Sequence, residues 1–482
     1  MNDLAEKALH GLDVARRQVC ARPVLSLSAA GFLMSALTVV AGGEVGAARA
    51  TRPIVNWLGL QDRHGMRSSD PVPGTVMLIG VLGLIVLWLV AVEVARRQRP
   101  PARRLWLLAA AWAAPFAVGP PLMDTTAYSY AAFGLMQRQG RDPYDSGPVV
   151  LGSRAILAAI EPGSRGTPSG VGPLGTLLQH LAISAVGGST LGTVIAFRVI
   201  GVLAAIAIGR CAAQLAGPQP SRALALTVLN PLLLLYIVSA AHLDGGMIAL
   251  VLGALVAASQ RRWLWSIALA CLAGCVSGQA FVAVPAIVVA HWLGRRRVPS
   301  WLLIGRDVLV AAAVTVACHL VVSDGFGWLG TVSKQFSAHP PFSIASAIAK
   351  VLAPVVRGAS YDDLAAGARI TTVTATVCAL AYLFATCRQR ALERTVAYSL
   401  LALALFAPLL YPWYLLWGLL CLAPVASGNR RVVVLALSAA GCLLVPPGFG
   451  VVTANVLTGC ALVVVLAVAV AAVRRPAVTV PT

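Results

Sequence analysis

Charge is scarce in this sequence. Only 11% of its 482 residues are Asp, Glu, Lys or Arg, whereas soluble domains carry about 25%. That deficit excludes an ordinary soluble globular domain. Lysine is nearly missing: Lys7, Lys334 and Lys350 stand against 34 Arg. Cysteine supplies no framework. Ten are present, and nearly all fall inside apolar segments (Cys211, Cys271, Cys275, Cys318, Cys378, Cys421, Cys442 and Cys460), which argues against a disulfide scaffold. Cys271 and Cys275 lie one helical turn apart, without the His or further Cys that a metal site needs, and read as core packing. The Gly163–Gly170 stretch is glycine-rich but lacks Gly-Lys-Ser/Thr, so no phosphate-cradling nucleotide loop is evident. No repeat of fixed period is present.

Apolar residues are plentiful. They make up 59% of the chain, and the mean hydropathy is +0.83. Many runs approach the ~20 residues that a membrane-spanning helix needs. They are continuous rather than alternating, which selects helices over a barrel. The net charge of +20 could point to nucleic acid, but the Arg residues fall in short clusters between apolar runs. The better reading is no nucleic-acid partner and a cytoplasmic face marked by positive charge.

Placing those clusters inside threads the chain as an all-α, polytopic plasma-membrane protein of about fourteen spans, with both termini cytoplasmic. The expected spans are 23–43, 74–95, 105–121, 191–209, 223–240, 246–259, 263–277, 279–293, 307–322, 364–386, 395–409, 412–424, 432–446 and 452–472. The first resembles a signal peptide, yet its length and the spans that follow mark it as uncleaved. The whole chain, 1–482, reads as one membrane domain with a two-span extension at 1–104. Residues 122–190 and 324–363 form the first and second large outer loops. Within the first, Pro173–Gly188 breaks the parity and is expected to lie along or dip into the outer interface, a full span being the alternative. Ser343–Val356 also looks amphipathic.

The polar, aromatic stretch Met123–Pro148 sits between long apolar segments and carries Asp124, Asp142 and Asp145. Pro120-Pro121 end a helix, which leaves Asp124 at a span's outer edge, ahead of Tyr128 and Tyr130. Such a carboxylate can serve as a general base towards a hydroxyl, or it can cap the next helix. Gly140–Tyr144 reads as a turn in which Asp142 bonds its own main chain. Arg138 and Arg141 lie outside, against the charge rule, and suit a phosphate. His242 and Asp244 form an ionisable pair at membrane depth, a functional candidate by default, with a helix cap as the alternative. Gln279 lies near the outer ends of two spans. Arg198, two turns inside one, could contact phosphate or snorkel. Lys334 and His339 lie in the second outer loop. His180, His291 and His319 are lone histidines in apolar runs and read as packing. No metal site is expected.

These residues carry a resemblance. An outward acid is followed by Tyr-Ser-Tyr-Ala-Ala-Phe-Gly (128–134) and Gly-Arg-Asp-Pro-Tyr-Asp-Ser-Gly-Pro (140–148). Then come Gly172-Pro173-Leu174, Leu229-Asn230-Pro231-Leu232, Ala241-His242-Leu243-Asp244-Gly245-Gly246-Met247 and Tyr411-Pro412-Trp413-Tyr414-Leu415-Leu416-Trp417. Across residues 105–425 this resembles the actinobacterial polyprenol-phosphomannose-dependent α-1,6-mannosyltransferases, which extend the mannan of lipomannan and have the GT-C glycosyltransferase fold. The resemblance implies inverting transfer of a sugar, mannose by analogy, from a polyprenyl-phosphate donor to a cell-envelope glycan or glycolipid outside; no certain cofactor follows from the sequence beyond that donor substrate. It implies Asp124 as base, with His242 and Asp244 as further catalytic candidates, and Arg138, Arg141, Gln279 or Lys334 at the donor phosphate. Tyr128, Tyr130, Tyr144, Asp142 and His339 complete the expected substrate site. The missing nucleotide loop agrees. Two positions depart from the family pattern: its acid stands two residues before the aromatic, where this chain has Thr126, and its His-Asn-Asp is here His242-Leu243-Asp244. The rival class is a transporter or flippase of lipid-linked sugars, which predicts inverted repeats and midplane ionisable groups. A homologue that has lost catalysis is the third reading.

Overall fold

A computed structural model describes residues 24–43, 72–160, 162–293, 300–322, 326–331, 343–356, 358, 360–407, 410–444 and scattered positions between 457 and 467. Every regular element among them is helical, and no strand occurs.

In chain order the helices are α1 (Val24–Gly42), α2 (Val72–Gln98), α3 (Ala102–Val118), α4 (Thr126–Arg138), α5 (Arg154–Ala159), α6 (Pro173–Ala185), α7 (Thr190–Leu215), α8 (Pro220–Thr227), α9 (Pro231–Ser239), α10 (Asp244–Ser259) and α11 (Trp263–Val276). They continue with α12 (Gly278–Leu293), α13 (Ser300–Leu320), α14 (Ile344–Leu352), α15 (Tyr361–Ala385), α16 (Leu392–Leu405), α17 (Tyr414–Val425) and α18 (Asn429–Leu443). The centre of the molecule is built by α7, α10 and α11, with α16 and α17 against α10 and α12.

The helices fall close to the expected apolar runs, but they differ in length. Among the described residues, five helices (α1, α2, α7, α13 and α15) are long and apolar enough to cross a membrane, and the bent pair α8–α9 makes a sixth candidate. The expected spans 246–259, 263–277, 279–293 and 412–424 are short, and they correspond to α10, α11, α12 and α17, apolar helices of 10–17 residues. The expected span 452–472 lies largely outside the described residues.

The breaks have local causes. At α8–α9 the chain bends by 48°. Asn230 caps α9, its side-chain oxygen accepting from Leu232 N at 3.0 Å, and Pro231 follows at the first helical position. The remainder of α9 winds as a π-helix over Leu234–Ser239, a geometry that recurs at functional sites. Ala241 then takes φ 59, a strained conformation for a residue with a Cβ. His242 N donates to Tyr236 O at 3.1 Å, closing the turn.

The segment that breaks the parity, Pro173–Gly188, folds mostly as α6, which packs on α4. Its start is pinned: Gly172 N donates to Val276 O at 3.0 Å, and a Cβ at Gly172 would sit 2.3 Å from Cys275 O. Only glycine allows that approach. α13 and α15 bury little of their apolar surface, leaving Leu309 and Val377, for example, mostly exposed. The capping box of Ser360 and Asp363 starts α15.

Candidate active site

Three segments converge on one cavity of about 540 Å³. The first leads into α4, the second is the turn between α9 and α10, and the third is the start of α17. Thr126, Tyr130, His242, Asp244 and Gln279 line it, with Trp328, Trp413, Tyr414 and Trp417. Its other side is apolar, formed by Val373 and Val377 of α15 and by Leu403 and Phe406 of α16 and its end.

At the polar side, His242 Nε2 donates to Asp124 Oδ2 at 2.6 Å. On the opposite ring nitrogen, Nδ1 lies 3.7 Å from Asp244 Oδ2. The imidazole is buried, with 1% of its side chain exposed, against 21% for Asp124 and 11% for Asp244. Because the acids flank opposite nitrogens, they do not converge on one ion. Burial works against a charged His242, but the Asp124 carboxylate and then Asp244 outweigh it, and the imidazole is pushed up to about 9. Burial likewise raises Asp124, and His242 reverses this and holds its carboxyl below the ordinary range. The pair is therefore an ion pair at neutral pH.

Asp124 also accepts from Thr126 N at 2.9 Å, so the turn-forming role and the pairing with His242 coexist. Thr125, the residue before α4, makes no side-chain cap. Asp244 is not a cap. It stands inside the first turn of α10, and its Oδ1 accepts from Trp417 Nε1 at 2.7 Å. The cavity lining includes Asp244 and Thr126 but not Asp124.

Aromatic rings form a continuous floor. Trp413 lies 4.1 Å from His242, centroid to centroid, and stacks on Tyr411 at 4.5 Å. Tyr414 stacks on Trp417 at 4.1 Å. On the facing side, Trp328 is held by His319 Nε2, which accepts from its indole N–H at 3.1 Å.

The expected substrate residues divide. Tyr130 and Gln279 line the cavity, while Tyr128 is buried in the core behind it. The Tyr144 hydroxyl is bonded to Thr176 Oγ1 at 2.7 Å, away from the cavity. Arg138 is exposed. Arg141 and Asp142 line a separate recess. Lys334 and His339 lie outside the described residues.

Arg198 neither snorkels nor faces the cavity. It is buried, at 4% exposure, and donates to Ala117 O at 3.3 Å, to Gly119 O, and to Ser239 O at 2.6 Å. It thus ties together the end of α3, which leads to Asp124, and the end of α9, which leads to His242. Two histidines read as packing are not fully satisfied among the described residues: His291 pairs with Asp307 at 2.5 Å but leaves its Nε2 bare, and His180 leaves its Nδ1 bare.

The sequence marks Thr126 as a departure from the family pattern and Trp413 and Trp417 as part of a motif, without a contact for any of them, and gives Trp328 no role. Trp413 and Trp417 stand one helical turn apart, a spacing that puts two rings on one face. That signal was readable. Nothing local distinguished Trp328.

Comparison with known proteins places these residues in context. A family model described as alpha-(1->6)-mannopyranosyltransferase, N-terminal domain, matches residues 28–293, and one described as MptB C-terminal domain matches residues 343–475. The chain is similar to alpha-(1->6)-mannopyranosyltransferase A of Mycobacterium tuberculosis, with 28% identity over 431 residues, covering 84% of this chain and 81% of that protein. It is 25% identical over 410 residues to the A enzyme of Corynebacterium glutamicum, covering 77% and 82% of the two chains. Against the B enzyme of the same organism, identity is 26% over 436 residues, covering 82% and 72%.

Proposed function

Because the chain belongs to the alpha-(1->6)-mannopyranosyltransferase family, we propose that it is a membrane mannosyltransferase that moves mannose from a polyprenyl-phosphate carrier to a hydroxyl of a cell-envelope glycan or glycolipid. The observation that carries the reading is the make-up of one cavity: an acid–imidazole cluster on one side, an aromatic floor, and an apolar side formed by α15 and α16. Aromatic faces suit the apolar face of a pyranose. Exposed apolar residues on α15 suit a prenyl chain arriving from lipid.

The residues divide the work. Asp244 is the base: it lines the cavity, and its Oδ2 is 3.7 Å from His242, beyond hydrogen-bond reach. Trp417 occupies the other oxygen. The acceptor hydroxyl gives its proton to Asp244 as its oxygen attacks the anomeric carbon. The bond from that carbon to the phosphate oxygen breaks, and polyprenyl phosphate leaves. A single displacement of this kind inverts configuration. Charged His242 offsets the developing negative charge of the leaving phosphate, which Gln279 meets with its amide. Asp124 acts one step back, holding His242 charged and oriented.

The shorter helices complete the crossing in this reading, in a GT-C arrangement of about fourteen spans. The cavity opens on the outer face, the Arg-rich loops and both termini lie inside, and α6 rests at the outer interface.

The test is transfer from labelled polyprenyl-phosphomannose in membranes that carry the protein. Asp244→Asn abolishes transfer, Asp124→Asn lowers it steeply, and Asp145→Asn, at an exposed acid outside the cavity, retains it. Full activity in Asp244→Asn and Asp124→Asn would overturn the reading.

A further inference from the structure

A second recess, of about 280 Å³, is lined by residues separate from those of the main cavity. Gln137, Arg141 and Asp142 form one side of it, Leu177 and His180 the other, and Val321 closes one end.

The local sequence builds this recess. Helix α4 ends at Gly140, whose φ of 72 lies in the left-handed region. Arg141 N then donates to Met136 O at 2.9 Å. The reversal turns Arg141 and Asp142 back along the helix. Asp142 Oδ1 accepts from Tyr144 N at 2.8 Å, fixing the turn. Across the gap, His180 Nδ1 is buried and meets no partner among the described residues. That nitrogen has no exposed surface, so the imidazole borders the recess with the rest of its ring.

The chemistry selects the ligand. A guanidinium, an imidazole and a carboxylate together offer both donors and acceptors. A phosphate would meet the Asp142 carboxylate as like charge. A sugar, whose hydroxyls both donate and accept, meets no such conflict.

The position selects the role. Tyr130 of the main cavity and Gln137 of the recess stand seven residues apart on α4. That spacing puts them on one face, about 10 Å apart along the axis. The interval is of the order of two linked pyranose rings. On α6 and its approach, Val171 lines the cavity and His180 the recess, so the same two segments border both.

We propose that this recess is a second saccharide subsite, which grips the acceptor glycan behind the sugar whose hydroxyl reacts. The inference rests on the glycosyl-transfer reading above. A chain held at two points is presented in one register, and a longer acceptor binds better than a short one.

The experiment compares a disaccharide and a tetrasaccharide acceptor of α-1,6-linked mannose with the full-length protein in membranes. The unaltered protein uses both and has the lower KM for the tetrasaccharide. His180→Ala and the space-filling Leu177→Trp raise that KM about tenfold, the loss expected for one or two bonds to a charged or polar subsite. Both variants keep the disaccharide KM and kcat, which also shows that they fold. Equal effects on the two acceptors, or none on either, would overturn the subsite, and a change that follows the lipid donor rather than acceptor length would assign the recess to a headgroup instead. Absence of transfer from the unaltered protein would sink the mannosyl reading and the subsite with it.

Discussion

Asp124 and His242 are 118 positions apart in the chain, yet their side chains meet at 2.6 Å. The carboxylate raises the imidazole, and the imidazole lowers the carboxylate, although desolvation opposes both shifts. The contact joins the entry to α4 with the entry to α10. It fixes the charge state of the cavity's polar side.

A pH dependence follows. The folded protein holds the His242 proton more tightly than an ordinary imidazole of 6.5, up to about 9. Its stabilising contribution is therefore complete below about 6.5 and is lost as pH rises through about 9. Asp124 is shifted down, so its share is present above the ordinary 3.8 and lost only under stronger acid. Thermal unfolding in detergent should show an alkaline fall in Tm near pH 9. In Asp124→Asn the leading cause of the rise is gone, and that fall should move to lower pH. An unchanged alkaline limb in the variant would contradict the pairing.

Trp417→Phe isolates a single bond. It removes the indole donor at 2.7 Å from Asp244 Oδ1 and keeps an aromatic ring against Tyr414. Leaving a buried carboxylate oxygen unpaired costs about 1–3 kcal/mol. Steady-state transfer should show a kcat lowered by about tenfold or more, with the donor KM changed far less. A KM effect alone would place Trp417 in donor binding instead.

Arg198 should prove irreplaceable by Lys. One ammonium cannot reproduce a planar fork that reaches carbonyls on two separate segments. Arg198→Met leaves buried carbonyls unpaired and should lower stability by about 2–4 kcal/mol, measured by thermal unfolding in detergent. Arg198→Lys should keep more of the stability. It should still show a shifted alkaline limb of activity, because the approach of His242 to Asp124 depends on the same tie. A variant that loses stability but keeps its pH profile would make Arg198 structural alone.

Val377 tests the lipid entrance. It lines the cavity from α15 and is 61% exposed. Val377→Trp should raise the KM for a long-chain prenyl donor several-fold. It should affect a short-chain analogue much less, and stability hardly at all, since surface changes usually stay within about 0.5 kcal/mol. Equal effects on both donors would argue against prenyl entry along α15.

Much of the helical layout was legible in the sequence, because long apolar runs bounded by Arg clusters leave few alternatives. Helix length was less legible. The run across Asn230-Pro231 looks continuous in hydropathy, and only the backbone shows the bend and the π-helical winding that follow. His242 and Asp244 stood out because ionisable groups among apolar residues are costly. Their partners did not: nothing near Trp417 in the sequence names Asp244, and nothing near Asp124 names His242. Arg141 suggests a phosphate contact by its outward charge, and Asp142 a substrate contact or a turn, because both share a loop with Asp124. The left-handed turn at Gly140 carries them to a different recess. Arg198 was read as reaching outward, since its three carbonyl partners belong to segments about 40 and 80 residues away.

The buried guanidinium of α7 also constrains how the protein is made. It lies about two turns from the start of its helix, and the carbonyls that satisfy it belong to the ends of α3 and α9. One lies upstream of α7, the other downstream. Until ribosomal synthesis has delivered α9, the guanidinium lacks one of the carbonyls that satisfy it in the folded protein.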